Sequence, residues 1–221
     1  MTLKTNARIA GFSFLFYIAA GITSMILFPG GKGIAAKLAA IAQHATNVRV
    51  AFLLSLLTSF AALVLAVTLY ALTRDQDHDL AMLALTCRVG EGLIGIFMPV
   101  SLSLLWLATT TGADAPDTAA AHALGMFLTK IGAWKTLISA TFFAVGSALF
   151  SYLFLRARSI PVALAWLGVL ASVLLVVGLP AQLVGLIKSP VDWFMWMPML
   201  VFEIILALWL IIKGVAAPAT R

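Results

Sequence analysis

Residues 50–72 read VAFLLSLLTSFAALVLAVTLYAL, without one charged side chain, between Arg49 and the turn-like Thr73-Arg74-Asp75. A helix rises about 1.5 Å per residue, so crossing ~30 Å of hydrocarbon takes about 20 apolar residues in succession. The stretch predicts a membrane-spanning helix, and the rest of the chain is read outward from it. Five more runs meet the same requirement. The run at about 9–28 ends at Phe28-Pro29-Gly30-Gly31, a helix stop. The run at about 80–108 contains Pro99, and the run at about 125–155 ends at Arg156-Ala157-Arg158. The run at about 161–186 has Pro161 suited to its first turn and Pro180 near its end. The last, at about 197–213, ends at Lys213-Gly214.

Backbone groups in lipid must be satisfied within their own segment, and the runs lack the two-residue alternation of a barrel. The expected fold is all-α: a polytopic integral membrane bundle of six transmembrane helices, forming a single transmembrane domain over 1–221. Composition leads to the same class. Of 221 residues, 63% are hydrophobic and 10% charged, where a soluble domain carries roughly a quarter charged. That excludes a soluble globular enzyme, and the apolar content excludes disorder. The apolar part of the first run is too long for the core of a signal peptide, so it reads as a retained span.

The formal charge is +6, from 14 Lys+Arg against 8 Asp+Glu. The basic residues stand singly in short loops, which marks topology and not nucleic-acid binding. One side would carry Lys4, Arg8, Arg74, Arg156, Arg158, Lys213 and Arg221, and the other Lys32, Lys37, Arg49, Lys130 and Lys188. The first set sits in the shorter loops and tails, so both termini are expected in the cytoplasm. Asp114, Asp117, Asp192, Trp193 and Trp196 would then face outward, the tryptophans as an interfacial belt. In the long connection 29–49, Ile34, Leu38 and Ile41 beside Lys37 and Gln43 predict a short amphipathic helix lying on the membrane surface. Cys87, the single cysteine, lies in an apolar run and reads as a small packing residue.

Three ionisable residues fall deep in apolar runs: Arg88, Glu91 and Glu203. Charges there are costly and normally face a bundle interior, which makes each a candidate for function. Counting along the helices puts both glutamates roughly 15 Å from the same membrane face. Arg88 and Glu91 are three apart and share a helix face. If all three converge, the formal charge is −1, a surplus that a proton or a cationic ligand would relieve. The competing reading is structural, with Arg88 stapling the third span to the sixth. Tyr17 lies at a similar depth and is either a partner of the cluster or an ordinary core tyrosine. Gly90, Gly92 and Gly95 around Glu91 read first as close helix packing. Lys130 and Lys135, early in the fourth run, are expected at the outer interface by snorkelling, or with Lys188 as an outward anion vestibule.

No cofactor or metal is expected. His44, His78 and His122 lie in or beside loops, and neither a His-Glu-x-x-His motif nor a Gly-x-Ser-x-Gly elbow occurs. His78, in Arg74-Asp75-Gln76-Asp77-His78-Asp79, reads as part of a solvated turn. The spans divide three plus three with a Glu in the last span of each half, a weak echo of inverted-repeat transporters.

Several segments together carry a family resemblance. They are Arg8-Ile9-Ala10-Gly11-Phe12, Cys87-Arg88-Val89-Gly90-Glu91, Arg158-Ser159-Ile160-Pro161 with Trp166-Leu167-Gly168-Val169, Phe202-Glu203-Ile204, and Trp209-Leu210 with Lys213-Gly214. With these the chain resembles the DUF4386 family over nearly its whole length. The resemblance implies a bacterial six-helix protein of the cytoplasmic (inner) membrane. It supplies no reaction, cofactor or substrate.

The reading that follows is a transporter-like or small-molecule- or lipid-binding membrane protein with an intramembrane site of Arg88, Glu91, Glu203 and Tyr17. A non-catalytic sensor, chaperone or assembly subunit is the alternative. An intramembrane lipid-modifying enzyme ranks lower, for want of a nucleophile or metal set. The expected partners are the bilayer, a small-molecule or lipid ligand and an oligomeric copy, and not nucleic acid.

Overall fold

The computed structural model describes residues 1–107, 117–187 and 191–216, without the side chains of 98–107 and 191–193. Pro99, Asp192 and Trp193 therefore have only their backbone described, and Asp114, Lys188 and Arg221 lie outside the described residues. The elements are α1 (Leu3–Leu27), α2 (Ile34–Gln43), α3 (Ala45–Thr73), α4 (His78–Leu107), α5 (Thr118–Ala157), α6 (Val162–Leu183) and α7 (Val191–Ile212). Among the described residues, six of these helices are long and apolar enough to cross a membrane, all but α2. The chain is an all-helical, multi-pass integral membrane protein.

The helices outrun the apolar stretches that predicted them. α5 begins at Thr118, well before residue 125, because Asp117 caps it: Asp117 Oδ1 accepts from the Ala120 amide at 2.7 Å. The alanine-rich Thr118-Ala119-Ala120-Ala121 that follows is strongly helix-forming and weakly hydrophobic. At 40 residues, α5 is about 60 Å long, twice the hydrocarbon thickness. α7 likewise starts at Val191 and carries Pro198 inside it, a proline of the kind membrane helices tolerate.

Each spanning helix packs on two neighbours: α1 on α3, α3 on α4, α4 on α5, α5 on α6, α6 on α7, and α7 back on α1. The ring is closed. Its interior combines small residues, with Ala7, Ala10, Ala84, Ala144, Ala165 and Ala207 all buried, and large apolar ones such as Phe14, Leu65, Phe154 and Leu175. Large apolar side chains such as Phe12, Val67, Leu170 and Val177 stay exposed on the outside. That distribution suits lipid, where apolar surface gains nothing from burial and close approach of helices favours small residues. Gly11 shows how close: a Cβ there would lie 2.6 Å from the Ala207 carbonyl oxygen. The three glycines near Glu91 do the same, as the packing reading expected. Gly90 faces Phe142 on α5, and Gly92 and Gly95 face Leu63 and Ser59 on α3.

Leu3, Asp75, Ala157, Ser159 and Val215 line one cleft, which brings the N-terminal segment, the α3–α4 and α5–α6 turns and the segment after α7 to one end. The described residues of the predicted basic set, Lys4, Arg8, Arg74, Arg156, Arg158 and Lys213, belong to these segments. Asp77 fastens two of them. Its Oδ1 accepts from the Leu80 amide at 3.1 Å, and its Oδ2 accepts from Arg156 Nη1 at 2.9 Å. His78 is exposed beside Tyr70 in the same turn, and Cys87 is buried, both as expected.

The helix predicted in 29–49 is present as α2, and its apolar stripe packs against other helices of the bundle. Leu38 and Ile41 are buried with Ala121 and Leu128 of α5 and Val48 of α3, and Ile34 and Phe52 pack against them. The early start of α5 supplies the surface that covers α2. Gly125 brings the helices together, since a Cβ there would meet Ile34 Cδ1 at 2.7 Å.

Candidate functional site

The interior of the ring holds three ionisable residues. Arg88 on α4 is 1% exposed, Glu91 on α4 is 4% and Glu203 on α7 is 5%. Arg88 Nη1 lies 2.9 Å from Glu91 Oε2. The contact is one of charge and not of an aligned hydrogen bond, because all three guanidinium nitrogens and Glu91 Oε2 lack a hydrogen-bond partner. The pairing along one helix face puts the groups side by side without letting the planar fork meet the carboxylate. Glu91 Oε1 has a well-formed bond instead, accepting from the Tyr17 hydroxyl of α1 at 2.8 Å. The sharper of the two expectations for Tyr17 is the one the geometry supports.

Glu203 enters from the opposite side of the ring. It interacts electrostatically with Arg88, Glu91 and Tyr17, yet its Oε1 is buried with no hydrogen-bond partner. Sequence reasoning expected Arg88, Glu91, Glu203 and Tyr17 together; the structure joins Arg88, Glu91 and Tyr17 by direct contacts and leaves Glu203 within electrostatic reach of them. Lys130 and Lys135 stand apart, on the first half of α5, with Lys130 exposed and Lys135 partly buried. With Lys188 outside the described residues, the vestibule of three lysines has no described geometry.

Three residues of α5 complete the cluster and went unnoticed in the sequence. The guanidinium carbon of Arg88 sits 4.7 Å from the centre of the Phe143 ring, a cation–π contact of the kind that holds a desolvated arginine. Ser139 Oγ donates to the Glu91 carbonyl at 3.2 Å. Gly146 makes room for the arginine stem, for a Cβ there would lie 2.8 Å from Arg88 Cγ. The spacing 139, 143, 146 marks one helical face, and that period was the available signal. In a run apolar all round, nothing in composition set that face apart.

Trp196 is half-buried against the core, its ring 6.0 Å from that of Phe143, and so backs the aromatic surface under Arg88.

Chemically, the cluster holds one cation and two carboxylates, with donors on Arg88 and an acceptor on Glu203 left open. Among the described residues no group of three or more His, Cys, Asp or Glu side chains has a metal-binding arrangement. No curated protein and no solved structure matches the chain. The family model for DUF4386, a domain of unknown function, matches residues 9–214, and the chain belongs to the DUF4386 family.

Proposed function

We propose that the protein is a transporter-like membrane protein whose intramembrane site is the Arg88–Glu91–Glu203–Tyr17 cluster. In this reading Arg88 and Tyr17 hold Glu91 as a carboxylate, and Glu203 is the member that takes up a proton or a small cationic group. The observation that carries the reading is Glu203 Oε1: buried, without a hydrogen-bond partner, and within electrostatic reach of Arg88 and Glu91. A purely structural staple would pair every atom, because an orphaned buried acceptor costs stability. Intramembrane carboxylates left available in this way line proton and ion paths. The clustered basic residues at the end that gathers both terminal segments support cytoplasmic termini in a bacterial inner membrane.

The test is proton movement into liposomes that hold a pH-sensitive dye and the purified full chain, under an imposed membrane potential. The wild type is expected to move protons, and Glu203→Gln to abolish the flux with unchanged thermal unfolding in detergent. Undiminished flux in Glu203→Gln would sink the assignment.

A second reading, a non-catalytic sensor or assembly subunit, is favoured by the tight fit of Gly146 and Phe143 around Arg88. It expects no flux in the wild type, and Arg88→Leu to lower stability with no other loss.

A further inference from the structure

At the end of the bundle that gathers the terminal segments, a second set of polar groups stands well apart from the central cluster. An open cleft of about 410 Å³ is lined by Arg158, Ser159, Pro161, Trp209 and Lys213, among others. It forms where three helix ends meet. α5 ends in Arg158, the only non-glycine residue with positive φ among the described residues, at φ 50° and ψ 31°. Glycine or asparagine would serve that left-handed turn with less strain, and the chain carries an arginine there. α7 ends at Lys213-Gly214, with Gly214 at φ 74°. The Ala216 amide then donates to the Ser159 carbonyl at 2.9 Å, drawing the two ends together.

The third end is the start of α6. Pro161 is its N-cap and no side chain caps it, so the amides of its first turn are left open. An uncapped helix N-terminus attracts anions. Ser159, two residues before the cap, lines the cleft at 8% exposure, and its Oγ is buried without a hydrogen-bond partner. Arg158 and Lys213 are both exposed and form no ion pair among the described residues. The nearby carboxylates are committed elsewhere, Asp75 to Arg74 and Asp77 to Arg156. Residues 217–221 contain no Asp or Glu.

The unpaired Arg158 and Lys213, and Ser159 with its buried free hydroxyl, therefore line one space beside the start of α6. We infer that this cleft binds a phosphate group, and that the phosphate belongs to the headgroup of an anionic phospholipid. The shared chemistry is the phosphate; the lipid source follows from position. The cleft sits at the end of two membrane helices, beside Trp209, and the flanks of those helices expose Val162, Trp166 and Leu170 on α6 and Leu208 and Ile212 on α7. These are surfaces for acyl chains, and basic pockets between membrane helices hold acidic headgroups.

The test is native mass spectrometry of the detergent-purified full chain with added phosphatidylglycerol, phosphatidylcholine or inorganic phosphate. Phosphatidylglycerol is expected to be retained over phosphatidylcholine. Arg158→Asn with Lys213→Gln should weaken its retention roughly 30-fold, from the usual worth of two basic residues near a lipid surface. Asparagine is chosen because it accepts the left-handed turn. Lys4→Gln with Arg8→Gln removes as much charge from the same end, frees no carboxylate and should leave retention unchanged. If the first pair does not fold, Lys213→Gln alone should weaken retention about fivefold. Equal retention of phosphatidylcholine, retention by the folded cleft variants, or equal loss in the control pair overturns the site. Displacement of phosphatidylglycerol by an equal concentration of inorganic phosphate overturns the lipid source and leaves a free-phosphate site.

Discussion

Arg88 Nη1 and Glu91 Oε2 lie 2.9 Å apart, one turn along α4, buried in the ring, and no guanidinium nitrogen makes an aligned hydrogen bond. The arginine is held by charge and by the face of Phe143, not by a fork of bonds. Its stabilisation thus depends on Glu91 staying opposite it and on α5 staying close.

Removing the cation alone leaves Glu91 buried without its counter-charge. Arg88→Leu should cost about 3–5 kcal/mol, the usual loss on breaking a buried pair. Arg88→Leu with Glu91→Gln should cost clearly less than Arg88→Leu alone, since no uncompensated charge remains. Denaturant unfolding of the single and double variants in detergent measures this, and a double variant worse than the single would argue against a coupled pair.

Tyr17→Phe deletes the one well-formed hydrogen bond to the Glu91 carboxylate while keeping the ring. Bonds to charged groups contribute about 1.5–3 kcal/mol, and a loss in that range is expected in the same unfolding assay. The carboxylate stretching bands in infrared spectra should shift as well, which a purely packing role for Tyr17 would not produce.

Two glycines of α5 make a paired prediction. Gly146→Ala puts a Cβ 2.8 Å from Arg88 Cγ and 3.2 Å from the Ala84 carbonyl oxygen, and overpacking of this kind costs about 1–3 kcal/mol. Gly132→Ala meets nothing within 4 Å and should be neutral or stabilising by up to ~1 kcal/mol from helix propensity. Comparing the two melting temperatures checks it; equal shifts would remove Gly146 from the arginine's pocket.

Asp77 gives the turn between α3 and α4 a pH dependence. The bond from the Leu80 amide, with help from Arg156, holds its carboxyl below the usual aspartate range. A depressed value in the folded state means stability that is present above the unfolded value and lost as pH falls through the folded one. The loss should therefore come below about pH 4. It should be modest, because the pair is open to solvent. Asp77→Asn should flatten the acid limb of the melting temperature below about pH 4; an unchanged limb would show that other groups carry it.

The six spans and the identity of the intramembrane residues were legible in the chain alone, because both are properties of a window. A run such as 50–72 is apolar wherever its neighbours go, and Arg88, Glu91 and Glu203 are costly in lipid whatever they meet. The start of α5 was less legible, since the cap at Asp117 and the alanines after it are helical without being apolar. Only the tertiary structure decided that α7 closes the ring on α1 and that Tyr17 reaches Glu91 from 74 residues away. It also showed that Ser139, Phe143 and Gly146 form the wall of the site, and that α5 covers the stripe of α2. These follow from the rotation and approach of whole helices. In lipid that is decided by small side chains meeting backbone, as at Gly11 and Ala207, and such fits are not visible in the hydropathy of either partner.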